Sequence, residues 1–211
     1  MLRKLLFTCA LAISLMAVGT SARADTFSFT GINTGVTGTV NITQLSNDLL
    51  SVTITNTSTA GVTGKVTSIG FDLPGSGAGT FTLVNATNPN YRLEMGVAGN
   101  ASGIGRSFEI GLLTGPNFNG GGNPNRGIVE GAGATFTISG NFTGFRQQEL
   151  ALGMFLRFQD VNTGGGSDVA KCTSCASQKE VPEPATMVLL GTGLAGIAGA
   201  IRRRRNATKS E

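Results

Sequence analysis

Leu50-Ser51-Val52-Thr53-Ile54-Thr55 sets a large apolar side chain at every second position, and Asn56-Thr57 ends the run. Successive side chains of an extended strand point to opposite faces, so this alternation marks a strand with one face in a core and the other in solvent. The β-branched residues on both faces favour the same backbone. The pattern recurs where Phe136 and Ile138 alternate with Thr135, Thr137 and Ser139, with Phe142 continuing the apolar face. It is strongest at Leu150, Leu152, Met154, Leu156 and Phe158, which alternate with Ala151, Gly153, Phe155, Arg157 and Gln159.

Weaker alternation predicts further strands at 26–30, 36–43, 62–71, 80–84, 91–97 and 103–112. About nine short strands separated by Gly, Asn and Pro clusters predict an all-β domain over residues 25–161, an antiparallel β-sandwich or jelly-roll-like fold. No helical period stands out except in the two apolar ends. Residues 114–126, rich in Gly, Asn and Pro with Phe118 near the centre, read as a long exposed loop. Residues 162–180, polar and Gly/Ser-rich, read as a linker.

The N-terminus has the three parts of a secretory leader. Arg3 and Lys4 precede an apolar stretch from Leu5 to Val18, and Ala22-Arg23-Ala24 fits a signal peptidase site with a mature start at Asp25. Residues 1–24 are therefore expected to pass the chain to the Sec machinery and to be cut off by signal peptidase. An uncleaved anchor is the alternative. A lipoprotein reading fails, because Cys9 sits near the start of the apolar stretch and not at its end.

At the other end Val181-Pro182-Glu183-Pro184 precedes an uncharged run over 185–201, then Arg202, Arg203, Arg204 and Arg205, and a short tail, 206–211. A helix of this length spans about 25 Å at 1.5 Å per residue, enough for one transmembrane pass. Arginines on one flank keep that side cytoplasmic, which places the β domain across the inner membrane. Pro182 and Pro184 hold the preceding segment extended, a shape suited to a protease groove.

The net charge of +4 arises at these ends. Between Asp25 and Glu180 eight basic residues face ten acidic ones, so the domain gives nucleic acid no electrostatic reason to bind.

The C-terminal arrangement over 181–205 resembles the PEP-CTERM sorting domain of Gram-negative bacteria. The resemblance implies that an exosortase, a membrane-embedded cysteine peptidase, recognises Val181-Pro182-Glu183-Pro184 and removes the helix. The β domain would then pass to the cell surface or an exopolysaccharide-rich matrix. A simple tail anchor is the alternative. Residues 49–57, Ile69-Gly70-Phe71-Asp72-Leu73-Pro74 and Arg157-Phe158-Gln159-Asp160-Val161 also resemble parts of β-rich domains that accompany this signal.

Histidine is absent, which removes Ser-His-Asp and Cys-His catalysis and the common zinc sites. A glycoside hydrolase built on two carboxylates stays open, drawing on Asp72, Glu94, Glu109, Glu130, Glu149 and Asp160, but no motif singles out a pair. Cys172-Thr173-Ser174-Cys175 lies in the linker, where a local disulfide is the economical reading and metal capture or cross-linking the alternative. Asp160, Asn162 and Asp168 group oxygen ligands around glycines, a candidate calcium site that departs from the EF-hand pattern. Calcium is the one cofactor suggested. N-x-Ser/Thr sequons stand at Asn41, Asn56, Asn85, Asn100 and Asn141.

Three functions follow as expectations. The first is a non-enzymatic surface or matrix protein. The second is a carbohydrate-binding module that uses sandwich-end loops such as residues 114–126, with or without calcium, although one Tyr, no Trp and Phe residues at core positions offer few stacking platforms. The third is a polysaccharide hydrolase.

Overall fold

The computed structural model describes residues 24–76, 79–99, 104–118, 122–163 and 166–174. Their strands are β1 (Ala24–Gly31), β2 (Thr37–Ser46), β3 (Leu49–Asn56), β4 (Lys65–Phe71), β5 (Thr82–Ala86), β6 (Arg92–Gly99), β7 (Arg106–Leu113), β8 (Gly133–Ser139), β9 (Phe155–Val161) and β10 (Gly166–Cys172). Every pairing is antiparallel, in the order β5-β8-β3-β2-β1-β10-β9-β4-β7-β6. The all-β expectation holds. The layers are halves of one continuous hydrogen-bonded sheet, not two separate sheets.

The alternation read in the sequence supplies the core. Leu50, Val52 and Ile54 of β3 oppose Ile138, Phe136 and Ala134 of β8 and point to the same side as Val40 and Ile42 of β2. From the other half Val66, Ile69 and Phe71 of β4, Ile110 and Leu112 of β7, and Leu156 and Phe158 of β9 enter the same core. The sheet must therefore curl over itself, which brings its edge strands β5 and β6 towards each other. Tyr91 closes that seam: its ring lies 5.0 Å from Phe136 and its hydroxyl donates to Val66 O. Burial pushes its phenol well above the ordinary tyrosine range.

Three expectations are corrected. Residues 150–158 are not one strand: Gln147–Leu152 is a 3-10 segment, and β9 begins only at Phe155. Gly153 ends the 3-10 segment with its N–H on Leu150 O; Leu150 within the segment and Met154 just after it still reach the core. Residues 162–180 are not all linker, since β10 lies between β1 and β9 near the centre of the sheet. The β domain thus extends past Val161. Its end is tied down, with Thr173 N donating to Ser28 O at 2.8 Å and Ser28 N to Ser174 Oγ at 2.8 Å.

The third correction concerns residues 114–126. Phe118 is fully buried, its ring 5.2 Å from that of Phe108. With Val97 and Leu113 these rings form a second small core on the outer face of the β9–β4–β7–β6 half. Gly70 leaves room for it, because a Cβ there would stand 2.4 Å from the Phe108 ring. Further along, Pro124–Arg126 forms a 3-10 turn capped by the Asn123 side chain, which accepts from Asn125 N at 3.1 Å. An apolar anchor at Phe118 and a capped turn at Pro124–Arg126 hold the described residues of this segment against the sheet.

Candidate functional site

Because neighbouring strands alternate in direction, the chain enters β1 and leaves β10 at one end of the sheet. The same end holds the segments after β4, before β7 and before β9. They enclose a cleft of about 300 Å³ lined by Asp72, Pro74, Arg106, Glu149, Leu150 and Gly153.

Its charged groups are mutually engaged. Arg106 Nη2 donates to Asp72 Oδ2, and Asp72 Oδ1 accepts from Glu109 N at 3.1 Å. Glu109 returns the contact, accepting from Leu73 N at 2.7 Å. Glu149 pairs with Arg146 one turn earlier at 2.9 Å. Gly153 permits this closeness, since a Cβ there would lie 3.0 Å from Asp72 Oδ2. The geometry is that of a clamp joining the ends of β4 and β7, in which Asp72 is held by Arg106 and Glu109 by the Leu73 N–H, with Glu149 paired to Arg146 beside it.

The other acids considered for a catalytic pair lie apart from this cleft and from one another. Glu94 pairs with Arg92 at 2.6 Å, Glu130 accepts from Gly64 N at 2.6 Å, and Asp160 pairs with Lys65 at 2.7 Å. Of the six candidates, only Asp72, Glu109 and Glu149 come together at one end.

The candidate calcium ligands point to three separate partners. Asp160 has left-handed backbone (φ 57°) and faces Lys65, while Asn162 Oδ1 accepts from Thr63 N at 2.9 Å. Asp168 is buried beneath the β1–β2 turn. It accepts from Thr34 Oγ1 (2.7 Å), Thr34 N (2.8 Å), Asn33 N (3.0 Å), Asn33 Nδ2 (3.3 Å) and Val169 N (2.8 Å). Burial alone would raise its pKa, but the hydrogen bonds together outweigh burial and hold it below the ordinary aspartate value. Among the described residues no three His, Cys, Asp or Glu side chains converge as a metal site.

Sequence reasoning missed Asp168 as a structural group, because its partners lie about the β1–β2 turn, 135 residues away. Phe118 offers no open face to a sugar. Cys172 ends β10 opposite Phe29 and is disulfide-bonded, while Cys175 lies outside the described residues. Ala24 and Asp25 begin β1. Ala22, Val181, Pro182, Glu183, Pro184, Arg202, Arg203, Arg204, Arg205 and the apolar run at 185–201 also lie outside the described residues. No helix among the described residues is long and apolar enough to cross a membrane.

Comparison with known proteins bears on the C-terminal segment. The family model of the PEP-CTERM protein-sorting motif matches residues 180–205. No curated protein and no solved structure matches the chain. The motif marks an exported protein with an exosortase as its processing partner.

Proposed function

We propose that this exosortase substrate is a non-enzymatic surface or matrix protein, whose β domain is released from the inner membrane into an exopolysaccharide-rich envelope or biofilm. The observation that carries the reading is the sorting motif at 180–205, joined to a domain that ends only a few residues before it. The engaged state of the candidate carboxylates supports a structural role over a hydrolytic one. Burial of Phe118, the ring near the centre of residues 114–126, weighs against the carbohydrate-binding alternative.

In this reading the helix at 185–201 is a temporary anchor. Arg202, Arg203, Arg204 and Arg205 stop transfer on the cytoplasmic side, and cleavage at Val181-Pro182-Glu183-Pro184 frees the domain. Changing Pro182→Ala and Pro184→Ala together tests this in the native host. The expected variant keeps its anchor, migrates as the larger species and stays with the inner-membrane fraction. Processing and release indistinguishable from the parent would sink the proposal.

A further inference from the structure

The outer face of β1, β2, β3 and β8 is set by the core on the other side. Val40 and Ile42, Val52 and Ile54, and Phe136 and Ile138 point inward, so the residues between them point out. Over positions 26–30 of β1, 37–43 of β2, 51–55 of β3 and 133–139 of β8, every outward residue is Thr, Ser, Asn or Gly. Each is exposed or half-buried. Lys171 of β10, across from Thr30, borders this uncharged area.

The register lines these residues up in rows. Thr26, Asn41, Thr53 and Thr135 are successive cross-strand partners, and Thr43, Ser51 and Thr137 form the next row. Neighbours stand about 4.8 Å apart along a row, and rows repeat about every 6.8 Å along the strands. The side chains brace one another. Asn41 Nδ2 donates to Thr26 Oγ1 at 2.9 Å, Thr43 Oγ1 donates to Asn41 Oδ1 at 3.2 Å, and the hydroxyls of Thr53 and Thr135 are bonded at 2.9 Å. A bonded pair of hydroxyls still has one O–H to give and lone pairs to accept with. Threonine is stiff at χ1, so holding it against a ligand costs little further entropy.

Strand propensity accounts for threonine at such positions but not for the missing charge, since exposed strands commonly carry Lys and Glu. Neutrality also narrows the partner. A polyanion or a polycation finds no opposite charge on these positions, and a protein interface relies on aromatic, Met and Arg anchors that they do not supply. A neutral polymer of hydroxyl and ether oxygens matches a lattice that both donates and accepts.

We propose that this face is the docking surface for an extended, uncharged polysaccharide chain laid across the four strands. The proposal rests on the matrix-protein reading and names the contact by which the domain holds to the matrix. Each hydrogen bond to a sugar replaces one to water, so affinity comes from many weak contacts along one chain and not from a single sugar.

The test is affinity electrophoresis of protein purified from its native host in mild detergent, in gels containing the neutral or the acidic fraction of the host's exopolysaccharide. The neutral fraction should retard the parent, the acidic fraction should not, and free glucose should not compete. Thr53→Lys with Thr135→Glu leaves the net charge unchanged and sets opposite charges across from each other, which paired strands tolerate. It should raise the apparent dissociation constant about tenfold or more, whereas Thr53→Ser with Thr135→Ser should stay within about threefold of the parent. No retardation by the neutral fraction, or unchanged retardation of the charged pair, would overturn the site. If the charged pair lacks a cooperative melt, Thr53→Val with Thr135→Val takes its place, keeping the side-chain shape without the hydroxyls, and unchanged retardation there rejects the proposal. Self-association that either variant abolishes would assign the face to a second copy of the chain and overturn it as well. The matrix-protein reading fails separately, if processed protein is missing from the matrix fraction of the culture.

Discussion

Asp168 concentrates more hydrogen bonds on one side chain than any acid considered above, and it binds together strands remote in sequence. Its oxygens organise the turn between β1 and β2 from a position on β10. An amide in its place presents N–H groups to some of the same donors, leaving buried groups opposed. Asp168→Asn should therefore cost about 3 kcal/mol of stability, measured as a shift in urea midpoint at pH 7. Acid gives an independent check. A carboxylate with a depressed folded pKa contributes fully above its unfolded value, here 3.8, and loses that contribution as the pH falls through the lower folded value. The parent should lose stability below about pH 4 by a component that Asp168→Asn lacks. Nothing local in Gly166-Ser167-Asp168-Val169 signals this role, because the groups that offset its desolvation are distant in sequence.

Among the elements, the segment between β7 and β8 departs furthest from its expected character. Its Gly, Asn and Pro content describes a loop, but Phe118 pins it to Phe108 over Gly70. Phe118→Ala should lower unfolding free energy by about 3–5 kcal/mol in denaturant titration, the usual cost of emptying an aromatic site in a core. A neutral result would mean that the ring is not packed as described. Strands with one face on the core, such as β3 and β8, were legible because burial on one side leaves period-two alternation. β10 was not, since a near-central strand with a buried aspartate and lysine at its end shows no such alternation. The run 150–158 misled for another reason: Leu150 is a core residue on a 3-10 turn and Met154 one in the link to β9, where matching spacing arises without a strand. The cleft was illegible as well, because strand direction alone brings Asp72, Arg106 and Glu149 to one end.

For the whole molecule, the antiparallel β1–β10 pair carries the continuity of the sheet. Ending the chain at Thr163 removes β10, bares the edges of β1 and β9, and takes Asp168 from beneath the first turn. Such a truncation should yield no cooperative unfolding transition and should aggregate, as unprotected strand edges do. Circular dichroism melting and sedimentation would register both effects, and a soluble, cooperatively melting product would contradict this account. The same pair imposes a clock. Ser28 meets Ser174 across 146 positions of sequence, so the middle of the sheet waits for almost the last residue of the domain to be exported. Until then the domain exists as two unfinished halves, each ending in an open strand. Completion of the fold and arrival of the sorting motif become nearly simultaneous events, and a chain cut short before β10 would have neither a closed sheet nor a signal by which to be released.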